Sequence, residues 1–263
     1  MKEYTLRDYI AHLIIGTHLQ QPVQSFMKMV NFRKRWKHPE LKDIYLESSR
    51  IDQMMERMII EPMNCIDAGC HLGSMLNRML QLSPNGNHIA IEPIPYKVEW
   101  LRRKFPNVEV LQIALSDTPR ETAFYFHSHH SGFCGFKPIQ KFGDDVKQLT
   151  VRCERLDDVV PSDKTIDFIK FDLEGAELEA FRGANNLLQR CQPHLLFECT
   201  RSGLKSFGIT SDEVFNFLTQ QHSYSVFLIK DWLDGKEPLD SEKFSNAMRY
   251  PFKAFNFFAT RYK

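Results

Sequence analysis

Acidic residues recur at the ends of short apolar runs along this chain. Five of them share this placement: Asp67, Glu92, Asp117, Asp172 and Glu198. The first is followed by Gly69 and Gly73, which allow a tight turn and a close approach of a ligand to the main chain. In open α/β sheets, ligands bind beyond the carboxyl ends of the strands. We therefore expect one ligand site with an acidic rim where these runs end.

A glycine-containing loop beside a carboxylate raises the question of which cofactor it binds. A dinucleotide would place its pyrophosphate against the acidic rim, and His71 stands where a dinucleotide loop would carry a further glycine. S-adenosylmethionine has no phosphate, and it brings a sulfonium and an ammonium group that suit an acidic rim. The loop therefore favours S-adenosylmethionine.

The acidic positions near the loop each have a role that this cofactor would give them. We expect Asp67 to hold the ammonium group, directly or through water. Glu92 is expected to accept both ribose hydroxyls, with a plain helix-entry acid as the alternative. Asp117 would accept from the adenine amino group, or would only form a turn before Thr118 and Pro119. The predicted cofactor-binding residues are Asp67, Gly69, Cys70, His71, Gly73, Glu92, Pro93, Ala114, Leu115, Ser116 and Asp117.

Further carboxylates follow the fourth and fifth core runs, and they point to proton transfer. An alcohol that accepts a methyl group must lose a proton, and a positioned carboxylate can take it. The predicted catalytic residues are therefore Asp172, Glu174 and Glu198. Asp172 and Glu198 could instead hold Mg²⁺, but two carboxylates without a clear third ligand do not support a metal prediction. His71 and a histidine of "HSHH" (127–130) are alternative bases.

The alternation of apolar runs and amphipathic segments predicts the elements that position these residues. Residues 1–60 show only helical patterns, so we predict a helical N-terminal cap there and a main domain over 61–263. Over residues 61–263, this alternation predicts an α/β fold with a mostly parallel, Rossmann-like sheet. The last two runs predict an antiparallel edge hairpin joined without a helix. "VEVLQIALSD" predicts the third core strand, and "TAFYFH" and "QLTVRC" predict an inserted strand pair.

Composition excludes several classes of function. A net charge of +1 gives no electrostatic reason to expect nucleic acid, and no apolar run approaches the length of a membrane span. The six cysteines show neither a CxxC pair nor zinc-like spacing, which favours a reducing, cytoplasmic location. A homo-oligomer remains open.

Several motifs together resemble one family. "DAGCHLG", "IEP", "ALSD", "IDFIKFDLEGAELEAFRGA" and "PHLLFE" stand in the order and spacing of the FkbM family of S-adenosylmethionine-dependent methyltransferases, over roughly residues 62–200. The family loop reads D-x-G-A-N-x-G, so Cys70 and His71 depart from it in side chain but not in glycine placement. The resemblance implies a class I methyltransferase sheet. It also implies methyl transfer, commonly to a hydroxyl oxygen of a sugar, polyketide or other small molecule. A methyltransferase-like binding module without catalysis and a nicotinamide-dependent oxidoreductase are the alternatives.

Overall fold

A computed structural model describes residues 4–20, 22–23, 37–127, 134–137 and 146–261. Its strands are β1 Cys65–Ala68, β2 Ile89–Ile91, β3 Glu109–Leu111, β4 Ala114–Leu115, β5 Arg120–His127, β6 Cys134–Gly135, β7 Val146–Glu154, β8 Phe168–Phe171, β9 His194–Glu198, β10 Ser225–Leu228 and β11 Asn256–Thr260. Its α-helices are α1 Leu6–Ile14, α2 Lys42–Met58, α3 Ser74–Leu82, α4 Pro95–Lys104, α5 Leu156–Val159, α6 Glu177–Gly183, α7 Asn185–Cys191, α8 Arg201–Phe207, α9 Ser211–Asn216, α10 Ile229–Leu233 and α11 Ser241–Ala247. A 3₁₀ turn (Pro39–Leu41) and a π-helical turn (Phe217–Gln221) complete them.

The main sheet has the predicted mixed architecture. Its seven strands run in the order β10-β11-β9-β8-β1-β2-β3, and every neighbouring pair is parallel except the two that involve β11. β10 and β11 form the predicted antiparallel pair at one edge, with β11 between β9 and β10. The α/β fold with a mostly parallel sheet is therefore confirmed, and the carboxyl ends of β1, β2, β8 and β9 lie along one edge.

The second sheet contains the predicted insertion. β5 and β7 pair antiparallel over eight residue positions, and β4 and β6 flank them in the order β4-β7-β5-β6. The sequence prediction of one continuous third core strand was wrong here. The chain leaves the main sheet after Leu111, and Ala114 and Leu115 pair with β7 instead. Apolar residues on both sides of Gln112 are buried, but they pair in different sheets, so the run reads as one strand in the sequence.

A helical connection joins the last two strands, where the sequence predicted none. α10 and α11 have five and seven residues, too short for a clear amphipathic period. One local signal was present: the Asp240 side chain accepts a hydrogen bond from the Lys243 N–H, as expected of an N-cap residue. Every helix of the described chain is too short or too polar to cross a membrane.

The N-terminal segment packs in two places, with α1 against α4 and α2 against the main sheet. α1 lies against α4, where the Tyr4 and Trp100 ring centroids are 4.7 Å apart. The Lys104 ammonium of α4 donates to the carbonyl oxygens of His12 and Ile15. These contacts fix α1 beside the helix that follows β2. The division into a cap over 1–60 and a main domain over 61–263 remains a prediction.

α2 covers a face of the main sheet. Met54 and Met55 are fully buried against Phe168, Leu196 and Phe258 from β8, β9 and β11. Successive side chains of a strand point to opposite faces, so these three side chains share the face opposite the larger core. α2 therefore contributes to the core of the sheet that carries the site.

We predict that Met55→Ala lowers the free energy of unfolding by about 2–5 kcal/mol, because the truncation leaves a cavity in a packed layer. Gln53→Ala, at an exposed position of the same helix, should change it by less than about 0.5 kcal/mol. Chemical denaturation of the two variants measures both values. Equal, small losses would show that α2 does not belong to this core.

Candidate active site

The loop after β1 crosses the ends of the neighbouring strands. The N–H groups of Gly69 and Cys70 both donate to the Ile91 carbonyl at 3.0 Å, which fastens the loop to β2. Gly69 has a φ of 75°, and a Cβ there would lie 1.9 Å from the Asp172 carbonyl oxygen. Only glycine permits this approach between the loop and the end of β8. The loop and Asp172 are thus held together by main-chain contact.

His71 occupies the position where a dinucleotide loop would carry glycine. Its φ is 53°, in the left-handed region that histidine and asparagine enter more readily than most residues. Its N–H donates to Glu92 Oε2 at 2.9 Å. Gly73 begins α3 with a φ of 85°, and a Cβ there would overlap Leu101 and Phe105 of α4. Gly73 therefore permits helix packing, whereas Gly69 permits the contact with β8.

A cavity of about 280 Å³ opens at the carboxyl ends of the strands, close to the lower end of the range for small-molecule sites. It is lined by Gly69, Cys70, His71, Ser74, Met75, Ile91, Glu92, Pro93, Lys97, Ile113, Ala114, Leu115, Phe124, Cys134, Phe136, Lys170, Asp172, Leu173 and Glu174. The wall is thus mostly apolar, with three carboxylates and two ammonium groups.

Glu92 directly follows β2 and faces this cavity while being only 4% exposed. Each of its carboxylate oxygens accepts one main-chain hydrogen bond, Oε2 from His71 and Oε1 from Ile94 at 3.1 Å. Burial raises the pKa of Glu92, whereas Lys97 and these two N–H groups oppose that shift. The hydrogen bonds fix the carboxylate rigidly, and each oxygen keeps a lone pair for a ligand hydroxyl.

Asp67 lies behind the cavity wall. It is fully buried, and neither of its oxygens accepts a hydrogen bond from the described residues. The strand register places it opposite Lys170, whose Nζ is 3.4 Å from Asp67 Oδ1. Lys170 also lies 3.2 Å from Asp172 Oδ2 and donates to the Gly69 carbonyl at 2.9 Å. Burial opposes the charge on Lys170, but the two carboxylates outweigh it and raise the pKa of Lys170.

Three carboxylates converge at the ends of β8 and β9. Asp172, Glu174 and Glu198 each offer an oxygen, and the three oxygens lie within 4.8 Å of one another. Burial and the charge of Asp172 raise the pKa of Glu174 to about 8, and the same causes raise the pKa of Glu198. Among the described residues, neither glutamate has a hydrogen bond or salt bridge that would offset this repulsion.

Such a cluster can take up a proton near neutral pH, or it can hold one hard divalent cation. Glu174 supplies the third carboxylate that the sequence argument lacked. Its φ of 55° is unusual for a glutamate, and it directs the chain sharply between β8 and α6. The first turn of α6 adds Glu177, whose Oε1 accepts the Leu173 N–H at 2.8 Å.

The structure brings most of the predicted residues together. The cavity is lined by Gly69, Cys70, His71, Glu92, Pro93, Ala114, Leu115, Asp172 and Glu174. Glu198 adjoins the cavity through the carboxylate cluster. Asp67, Gly73, Ser116 and Asp117 do not line it. The roles assigned to all of these residues remain predictions.

Asp117 occupies a turn at the start of β5. Its Oδ1 accepts from the Thr118 hydroxyl at 3.1 Å and lies 3.9 Å from the Arg120 guanidinium. Ser116 is buried beside it. These contacts correspond to the turn alternative that the sequence allowed. Of the four "HSHH" residues, 128–130 and the side chain of His127 lie outside the described part of the structure.

Several lining residues were missed by the sequence argument. Phe124, Cys134 and Phe136 come from the insertion, for which the sequence indicated only histidines as candidate site residues. Lys97 comes from the first turn of α4, and the amphipathic pattern of that segment did not single it out. Its position shortly after Glu92 in the chain could have indicated a place in the site, because residues that follow a strand end tend to face the ligand.

Comparison with known proteins supports one family. The family model described as "Methyltransferase FkbM domain" matches residues 67–226, more than half of the chain. Comparison with curated proteins gives no match. Among solved structures, the methyltransferase FkbM of Methylobacillus flagellatus KT is 14% identical, with a TM-score of 0.49 over 76% of this chain and 44% of that one. This chain thus spans less than half the length of that protein.

Two further solved structures are similar at a lower level. The precorrin-6y C5,15-methyltransferase of Geobacter metallireducens GS-15 is 16% identical, with a TM-score of 0.40 over 68% of this chain and 72% of that one. The plantazolicin methyltransferase BpumL, solved with S-adenosylhomocysteine (SAH), is 10% identical, with a TM-score of 0.42 over 96% of each chain. The family assignment rests on the family model, whose match spans the loop, Glu92 and the carboxylate cluster. This chain belongs to the FkbM methyltransferase family.

Proposed function

We propose that this chain uses S-adenosylmethionine to methylate a hydroxyl oxygen of a small molecule, sugar or natural product. Membership of the FkbM family supports methyl transfer. The observation that supports a hydroxyl acceptor is the cluster of Asp172, Glu174 and Glu198 beside the cavity, because an alcohol must lose a proton when it is methylated. A cytoplasmic location and a homo-oligomer remain predictions.

The residues of the cavity fit S-adenosylmethionine. Gly69 lines the cavity without a side chain, and Glu92 offers fixed acceptors for a pair of hydroxyls. When bound, this cofactor supplies a methyl group attached to a sulfonium, and the thioether that remains is a good leaving group. Lys170 pairs with both Asp67 and Asp172, and so it places a positive charge between these two carboxylates beside the loop.

Glu174 is the residue that we propose as the proton acceptor. It lines the cavity, whereas Glu198 does not, and it is not engaged by Lys170 as Asp172 is. Its raised pKa matches the requirement that a general base have a pKa near the working pH. Asp172 and Glu177 then act by keeping the proton affinity of Glu174 high.

The proposal is tested by incubating the purified chain with S-adenosylmethionine labelled in the methyl group and with fractionated small-molecule extract. We expect the label in one or a few compounds, where it is present as a methyl ether on the former hydroxyl oxygen. Binding of the cofactor without transfer to any fraction would favour the non-catalytic binding module. Absence of cofactor binding would contradict the proposal altogether.

Glu92→Gln should weaken binding of S-adenosylmethionine by more than about tenfold, because it removes two charge-assisted hydrogen bonds to the ribose. Calorimetric titration measures the affinity. The matched control is Glu99→Gln on the exposed face of α4, which should bind as the unmodified protein does. Equal affinities of the two variants would return Glu92 to a purely structural role in holding the loop.

Glu174→Gln should lower turnover by about 10²-fold or more while cofactor affinity stays within a few fold. In the unmodified protein, turnover should rise with pH until Glu174 has lost its proton, at about pH 8, because only the ionised carboxylate can accept a proton. The variant should lose this rise. Glu237→Gln, at an exposed site between α10 and α11, serves as the control.

Two results would contradict the role of Glu174. An unchanged pH profile in Glu174→Gln would assign proton removal to another group. Loss of activity on addition of a chelator, restored by Mg²⁺, would assign the three carboxylates to a cation instead.

A further inference from the structure

Lys97 is a buried cation in the wall of the cavity. Its side chain is 2% exposed, whereas Arg102 and Arg103 on the same helix are exposed to solvent. A charged group is removed from water only at a large cost, so a buried ammonium requires compensating charge or hydrogen bonds. The roles derived so far do not use Lys97. Its ammonium group therefore places a positive charge in the wall of the ligand cavity.

The local backbone connects Lys97 to Glu92. The main chain of Ile94 joins them: its N–H donates to Glu92 Oε1, and its carbonyl oxygen accepts from the Lys97 N–H, both at 3.1 Å. Both side chains line the same cavity. The Lys97 Nζ also lies 3.9 Å from the sulfur of Cys134, so the inserted strand β6 packs against the ammonium group. Lys97 is thereby held inside the site.

We propose that Lys97 is a positioning residue for the cofactor: its buried ammonium group keeps the Glu92 carboxylate ionised, the form that accepts two ribose hydroxyls. This inference rests on the proposed function and on the ribose-binding role of Glu92. Burial by itself favours the protonated form of Glu92, and a protonated carboxyl offers one acceptor oxygen fewer.

The other groups that face Glu92 cannot replace Lys97. They are the thiol of Cys70, Lys170 from β8, and the N–H groups of His71 and Ile94. The two N–H groups carry no net charge. Lys170 is already engaged by Asp67 and Asp172 and bonded to the Gly69 carbonyl. Of the cations facing Glu92, Lys97 has the larger effect on its pKa.

The test is calorimetric titration of S-adenosylhomocysteine into the full chain between pH 6.5 and 9. The unmodified protein should bind with nearly constant affinity over this range. Lys97→Met should bind more weakly than the unmodified protein at pH 6.5, because loss of the ammonium group raises the pKa of Glu92 further, and it should recover most of this loss by pH 9. Lys97→Arg keeps the charge and should stay within a few fold. Lys205→Met, at an exposed site on α8, is the control.

A double variant distinguishes an action through Glu92 from direct contact with the ligand. If Lys97 acts through Glu92, then Lys97→Met combined with Glu92→Gln should bind no more weakly than Glu92→Gln alone. Additive losses would overturn the proposal, since they would show that Lys97 contacts the ligand itself. A loss in Lys97→Met that does not vary with pH would overturn it as well.

Folding and the proposed function are controlled separately. Thermal unfolding of each variant shows whether it folds. Lys97→Gln, which keeps a polar group, replaces Lys97→Met in the comparison if the latter does not fold. Failure of the unmodified protein to bind S-adenosylhomocysteine would contradict the proposed function. Normal binding by the unmodified protein together with wild-type binding by Lys97→Met would contradict only the role of Lys97.

Discussion

The ion pairs of Lys170 hold together the part of the fold on which the site depends. The register of β1 and β8 sets Lys170 opposite Asp67, and the same ammonium reaches Asp172 and the Gly69 carbonyl. Without this cation, the fully buried carboxylate of Asp67 would lose its countercharge, at a large cost in free energy. One lysine therefore neutralises the centre of the acidic rim and fixes the loop to the end of β8.

The remaining charges divide the cavity into two chemical environments. Glu92 lies beside Lys97 and accepts two main-chain hydrogen bonds, which favour a fixed, ionised carboxylate. Glu174 and Glu198 accept no such hydrogen bonds from the described residues, and burial together with repulsion from neighbouring carboxylates outweighs the nearby lysines and raises their pKa values. Carboxylates with different proton affinities can perform different tasks within one site. We propose cofactor binding for the first environment and proton removal for the second.

The inserted sheet gives the cavity its apolar wall. Phe124 and Phe136 meet edge to face at 5.5 Å between centroids, and Gly135 brings β6 close to Glu174. The inserted sheet therefore borders both Glu174, the proposed proton acceptor, and Lys97. This arrangement links three parts of the chain, the loop after β1, the start of α4 and the insertion, around one ligand volume.

Local sequence patterns by themselves determined much of this protein. The alternation of apolar and amphipathic segments specified the parallel sheet, and the carboxylates at strand ends specified its ligand edge, because parallel strands must all end on the same side. Gly69, Glu92, Asp172 and Glu174 follow from that rule and do line the cavity. Pairing between distant strands decided the rest. This pairing divided the run that begins at Val108 between two sheets. It also buried Lys97 and Asp67 and placed Asp117 in a turn. A sequence pattern reports which side of an element is apolar, but a charged residue on that element becomes buried only when another segment, such as β6 or β8, closes over it.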